Sequence, residues 1–453
     1  MRSSLSRFSP GLLPCFVITA CVSIPPPNRD VPPEFPFEIP CGQILEFSEF
    51  AFPPAGMTMS IREVIAADVN ADENLDLVIS NAPDDDLDSH GFFVLLGPQE
   101  VGDLVYHQFV ATNAAPHGMV TRDVLNDDGC LEVAIFGRNK AQTSGVIEIY
   151  EMLGEERFDS DGEIEPYSSI PVAKDASFLP NSDGTPVMIT FGDFSSRGSI
   201  DVAVADLNQL RLFYTDRDVA QNLGSAAPVE IGPGGPPGAW SAINAVFPRP
   251  AVDDSGIGDD LLVVELEQAV WLKNDGAGAF GDAIVSPTSG AFAAKSPHLV
   301  PSLDGNEVPD VIAGGGVGFG AHMIAIDGST VSMVARPWNQ TFSVSDELED
   351  LVFGDLGGSD LPEVVALDVD AAGIAPAQAL LVDSVFDAGA EILPQTVDTF
   401  TFVGIEPIRG VATRFQALDE EGPLELWVFD ASGDHRCLQR DPAVARLQLC
   451  SDL

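Results

Sequence analysis

The sequence predicts an all-β chain, a seven-bladed β-propeller of four-stranded blades, on three observations. Seven polar runs each end in an acid and lead into a short aliphatic run. A second apolar run and a turn follow in many of these units. The units recur at intervals of roughly 50 to 70 residues, a length that suits four short strands with their turns.

In chain order the runs are DVNADENLDLVIS, DVLNDDGCLEVAIF, GDFSSRGSIDVAVA, DDSGIGDDLLVVE, SLDGNEVPDVIAG, GDLGGSDLPEVVAL and LDEEGPLELWVF. Their closing acids are Asp76, Glu132, Asp201, Asp260, Asp310, Glu363 and Glu425. The β-branched and aliphatic residues after each acid mark a buried strand. The later runs GFFVLLG, GVIEIYEMLG, QLRLFYT, AVWLKNDGAGAFG, HMIAIDGST and QALLVDS predict a further strand in six units. A β-sandwich is the weaker reading, because it does not explain seven near-regular copies.

Bulk composition narrows the function. The chain is 45% hydrophobic and 8% aromatic, enough for a substantial core. Lys+Arg 21 against Asp+Glu 70 gives a net charge of -49, which makes nucleic acid a poor partner. The carboxylate excess fits divalent-cation binding, a surface solvated in a saline habitat, or attraction to cationic partners.

The chain opens with Arg2 and Arg7 and no acid, followed by FSPGLLPCFVITA, too short to span a bilayer but suited to export. Its end, Ile18-Thr19-Ala20-Cys21, resembles the lipobox of bacterial lipoproteins. That resemblance implies a signal peptide over 1–20, lipidation of Cys21, and attachment to the bacterial cell envelope, at the outer membrane rather than the inner. Residues 21–42 read as a Pro-rich tether that holds the body, 43–453, away from the lipid. An exported compartment permits disulfides among Cys41, Cys130, Cys437 and Cys450. Cys41 opens the folded part and Cys437 and Cys450 close it, so a bridge near the termini is expected, with Cys41 beside one of the other two. Cys130 is expected to stay unpaired.

DVNADENLD and SLDGNEVPD, with NDGAGAF closing a hairpin at 274–280 and FGD at 191–193 and 353–355, resemble FG-GAP or VCBS repeats. These are the blades of the propeller in integrin alpha heads and many bacterial surface proteins. The resemblance implies nine-residue loops in which positions one, three, five and nine supply side-chain oxygens and position seven a carbonyl. Calcium accepts six to eight such oxygens in loose geometry. The first loop would use Asp68, Asn70, Asp72 and Asp76, with the carbonyl of Asn74. The second offers Asn126, Asp128 and Glu132, with Asp123 displaced by one residue. The fifth offers Asp304, Asn306 and Asp310, weakened by Ser302. One to three Ca2+ sites follow. In the third loop Arg197 stands at position five, where its guanidinium could pair with Asp193 and Asp201 in place of an ion. The fourth, sixth and seventh loops are expected to retain only the fold. An EF-hand is excluded by Glu73 and Ile79 at its Gly and Glu positions.

Catalytic signatures were sought as well. Gly276, Gly278 and Gly281 match G-x-G-x-x-G, but DAIVSPTSG follows where a helix is needed, so a hairpin is predicted. Walker, H-E-x-x-H, G-x-S-x-G and C-x-x-C patterns are absent from the sequence. His90, His107, His117, His298, His322 and His435 are scattered, with surface or loop roles expected. Trp271 and Trp427 read as core, and Trp240 and Trp338 as loop candidates for stacking on a sugar. The expected function is a non-catalytic, calcium-stabilised binding propeller, monomeric, meeting a protein or glycan and touching the membrane only through its lipid. The alternative is a propeller-type enzyme such as a polysaccharide lyase or hydrolase, which two acids in a central pocket would favour.

Overall fold

Alternation along each second strand builds the core. In Asp76–Asn81, Leu77 and Ile79 pack with Phe93, Trp427 and Phe429, whereas Val78 packs with Phe92, Val133 and Ile135. Side chains on a strand point to opposite faces in turn, so one buried strand feeds two interfaces. The same division recurs in Asp259–Glu265, where Leu261 and Val263 face one cluster and Leu262 and Val264 another. Continuous aliphatic runs after the acids are therefore required, because both faces of these strands are covered.

The computed structural model describes the strands and many turns between Phe50 and Cys450. Residues 1–49 and 451–453 lie outside the described residues, as do inter-strand segments that include 71–73, 98–103, 125–130, 176–187, 216–225, 229–239, 251–257, 276–279, 288–294, 301–309, 338–346, 357–362, 370–375, 387–391, 414–423 and 442–445. The expected lipidation site Cys21, the tether, Cys41 and Cys130 fall there.

Seven four-stranded antiparallel sheets carry the described part, and each is a meander in chain order. Their first strands are Ile61–Ala67, Gly118–Arg122, Met188–Gly192, Ile243–Pro250, Lys295–Val300, Glu347–Gly354 and Arg409–Thr413. Each first strand lies against the next, and Arg409–Thr413 returns to Ile61–Ala67. The sheets thus form a closed β-propeller, with the first strands around its axis.

The predicted third strands are all present: Gly91–Leu95, Gly145–Met152, Gln209–Phe213, Gln268–Asn274, Gly318–Asp327 and Gln378–Phe386. Asn274 pairs with Phe280, so a hairpin and a strand, with no helix, follow the glycine-rich stretch.

Among the described residues no strand is exchanged between the first and last sheets, and side-by-side packing closes the ring. Arg409 Nε donates to the Arg62 carbonyl at 2.7 Å, and Ile61 N donates to the Ala431 carbonyl at 3.2 Å. Phe52, 5% exposed, lies between the two sheets, with ring centroids 5.3 Å from Phe93 and 6.4 Å from Phe429. Just before it, Phe50–Ala51 pairs with Val105–Tyr106. The segment at 50–61 is therefore a strap across the seam.

One expectation is corrected here. Cys437 is bonded to Cys450, with Cα atoms 5.5 Å apart, so neither is available to Cys41. Strands His435–Asp441 and Arg446–Leu449 are adjacent and antiparallel, which brings the two cysteines together locally.

Candidate functional site

Every second strand opens on its acid, or one residue before it at Asp259–Asp260, and all seven acids are buried. A buried carboxylate requires partners. Backbone amides supply them. Asp76 accepts from Val69 N and Gly97 N, each at 2.9 Å. Asp201 accepts from Ser195 N at 2.5 Å and Thr215 N at 2.7 Å. Glu132 accepts from Val124 N and Glu363 from Leu356 N, each at 2.7 Å. Asp260 holds Trp271 Nε1 and Asn274 N, and Glu425 holds Trp427 Nε1. At Asp76, Glu132, Asp201 and Glu363 the recurring acid is a latch that fastens the turn before it to the second strand, and Asp76, Asp201 and Asp260 also hold the segment that ends the third strand.

Asp68, Asn70 and Asn74 lie half-buried in the turn between Ala67 and Asp76, alongside that latch. Asp72, Asn126, Asp128, Asp304 and Asn306 lie outside the described residues, while Glu132 and Asp310 are buried at their strand heads. Among the described residues, no group of three or more His, Cys, Asp or Glu side chains is gathered as a metal site. The donor chemistry of the first turn nonetheless fits calcium, since its side chains offer hard oxygens.

The third turn is described throughout. Asp193 accepts Arg197 N and Gly198 N, each at 2.9 Å, so backbone amides converge on Asp193 and Asp201. This turn is fastened to the fourth sheet. Asp193 N donates to Asp259 Oδ2 at 2.8 Å, and Asn274 Nδ2 to the Phe194 carbonyl at 2.8 Å.

A second constellation, missed in the sequence, lies on the axis. Glu63, Asp350 and Arg409 belong to three different first strands. Each stands four residues before the one that pairs with the latch acid or its register partner: Ala67 with Asp76, Gly354 with Glu363, Thr413 with Glu425. Bulges after Ile61 and Leu348 locally turn two of those strands. His298 reaches the same group, its Nε2 3.8 Å from Asp350 Oδ1. Asp350 is buried and accepts Leu351 N at 3.0 Å and Gly410 N at 2.9 Å.

Glu63 keeps some accessible surface, yet its carboxyl makes no hydrogen bond or ion pair among the described residues. Desolvation deep in the ring pushes its pKa up to about 7; Arg409 opposes the rise, Asp350 adds to it, and His298 opposes it. The signal for Glu63, Asp350 and Arg409 was a charge at one repeated register of the first strands, visible only once the strands were paired.

One side-chain expectation changes. Trp240 is buried against Phe194, Leu210 and Leu261, so it is core and offers no stacking platform; Trp338 lies outside the described residues. His90 is also buried, with Nε2 2.9 Å from the Pro83 carbonyl. Trp271 and Trp427 are core as expected.

No family model matches the chain, and no curated protein matches it. Solved structures do. One is a protein from Lactobacillus plantarum, at 12% identity and TM-score 0.47 over 87% of this chain and 95% of that one. Another is an Agrocybe aegerita lectin that recognises non-reducing terminal N-acetylglucosamine, at 14% identity and TM-score 0.46 over 84% and 89%. The Dos1 propeller matches at 14% identity and TM-score 0.41 over 84% and 77%. Similarity of this degree passes no ligand or activity to the present chain.

Proposed function

We propose that this protein is a non-catalytic binding module of the bacterial cell envelope, a lipid-anchored propeller that presents its turns to a glycan or protein. The observation that carries this reading is the buried acid at the head of every second strand, which at Asp76, Glu132, Asp201 and Glu363 fixes the turn before it on a closed ring. Rigid elements that hold clustered loops are the usual basis for recognition without chemistry. Calcium belongs to the same reading. Asp68, Asn70, Asp72, Asn74 and Asp76 would hold one ion, with further ions at Asn126, Asp128 and Glu132 and at Asp304, Asn306 and Asp310. When bound, the ion would neutralise carboxylates that otherwise repel one another within a short turn.

A propeller-type polysaccharide hydrolase or lyase is the competing reading, and it draws on Glu63 and Asp350 sharing the axis. A glycan array and a pull-down with mature protein, with and without calcium, test the first reading. It expects retained ligand and no cleavage products; fragments released from a captured polysaccharide would replace it with the second.

A further inference from the structure

The axial group is not part of any turn, and its arrangement selects a ligand chemistry. Glu63 and Arg409 feel one another's charge, but neither an ion pair nor a hydrogen bond joins them. Arg409 spends Nε on the Arg62 carbonyl and Nη1 on the Ile408 carbonyl, each at 2.7 Å, which fixes the guanidinium plane. Across the axis Asp350 is fixed by two backbone amides and stands beside His298. Arg409 Nη2 and the Glu63 carboxyl make no hydrogen bond among the described residues, so a group that accepts from one and donates to the other would satisfy both.

We propose that the propeller axis binds the hydroxyl groups of a neutral saccharide, bridged between Arg409 and Glu63 and bordered by Asp350 and His298. This deepens the proposed function, and it rests on the glycan side of that reading. A hydroxyl both donates and accepts, so it suits each partner at once. An anionic ligand would meet Glu63 and Asp350 and lose by like-charge repulsion what it gains from Arg409, a penalty that a hydroxyl does not meet. Vicinal hydroxyls add the fit of a fork to a pair of oxygens.

The titration of Glu63 gives the site a signature. Its pKa near 7 means that the carboxylate, the form that accepts the hydroxyl proton most strongly, becomes dominant as pH rises through neutrality. The charged groups around it are Arg409 from the seventh sheet, Asp350 from the sixth and His298 from the fifth. On the second-sheet side, Arg122 is engaged by the Phe191 carbonyl at 2.7 Å, and neighbouring Arg62 faces Asp84 at 3.4 Å. Saccharide affinity should therefore rise between pH 6 and 8, and Glu63→Gln, an isostere without the proton, should flatten that rise.

Isothermal titration of the full protein with glucose, galactose, mannose, N-acetylglucosamine and cellobiose tests the proposal. Wild type, Glu63→Gln, Glu63→Ala and Arg409→Lys are compared, each with its melting temperature measured to show that it folds. The expected result is binding of at least one sugar, weakened about tenfold or more by Glu63→Ala and Arg409→Lys, as loss of a charged hydrogen bond implies, with a pH-independent Glu63→Gln. Sugar binding unchanged in all three variants would overturn the axial site and leave the binding module standing. No sugar bound while the pull-down retains a protein would also overturn it. Cleavage of cellobiose abolished by Glu63→Gln would support the axial site and remove the non-catalytic reading.

Discussion

Glu63 is expected to weaken the fold as pH rises. Its folded pKa of about 7 lies above the ordinary glutamate value of 4.5, so between those values the folded state binds more protons than the unfolded one. Stability from this group is intact below about pH 4.5 and falls as pH rises to about 7, by on the order of 1–2 kcal/mol once partial solvent access is allowed for. Melting curves of wild type and Glu63→Gln should coincide at pH 4 and separate by pH 8, with the variant higher. Asp76 behaves oppositely on removal. Asp76→Ala orphans Val69 N and Gly97 N, and chemical denaturation should show a loss of about 2–4 kcal/mol. Asp76 was legible as a recurring acid, and the calcium resemblance gave it a ligand role. Its role as an amide latch was not legible, because the partners lie seven residues before it and beyond the third strand. Glu63 was invisible for another reason: a lone acid in IREVIAA has no local pattern, and only strand register aligns it with Asp350 and Arg409.

At the scale of strands and turns, the period-2 and aliphatic signals did most of the work. Second strands were readable because both of their faces are buried, so their runs are largely apolar, and third strands such as Gln209–Phe213 were readable from alternation. First strands were harder, since they face the axis and carry Glu63, His298, Asp350 and Arg409 among apolar residues. A close approach inside the second sheet yields a test. A Cβ on Gly137 would sit 1.6 Å from the Ala115 carbonyl oxygen, where Ala115 N bonds Arg138 O at 2.8 Å. Gly137→Ala must therefore push two backbones apart, and it should cost about 3 kcal/mol or more in denaturant unfolding. The calcium expectation belongs to this scale too. Protein verified as metal-free should melt a few degrees higher after calcium is added, and Asp68→Ala should reduce that gain. An unchanged melting temperature would remove calcium from the account.

For the whole molecule, the consequence of a meander in every sheet is that, among the described residues, packing and hydrogen bonds rather than a covalent link close the ring. The two ends of the described chain meet through Phe52, Ile61, Val64, Trp427 and Phe429, with Arg409 bonded to Arg62. Phe52→Ala removes a ring that packs on both sheets at once and should cost about 3–5 kcal/mol. The sequence suggested closure by a cysteine near the beginning, whereas Cys437–Cys450 staples only the last sheet. Repeat spacing pointed to the sheets but not to the seam, because a strap such as 50–61 belongs to no repeat.

Amide hydrogen exchange on Ile61–Ala67, compared between the full chain and a chain ending at Thr401, tests ring closure most directly. The account predicts slow exchange in the full chain and a large loss of protection in the shorter one, although the deleted sheet lies at the opposite end of the sequence. Equal protection of Ile61–Ala67 in both chains would contradict a ring completed by Arg409–Thr413.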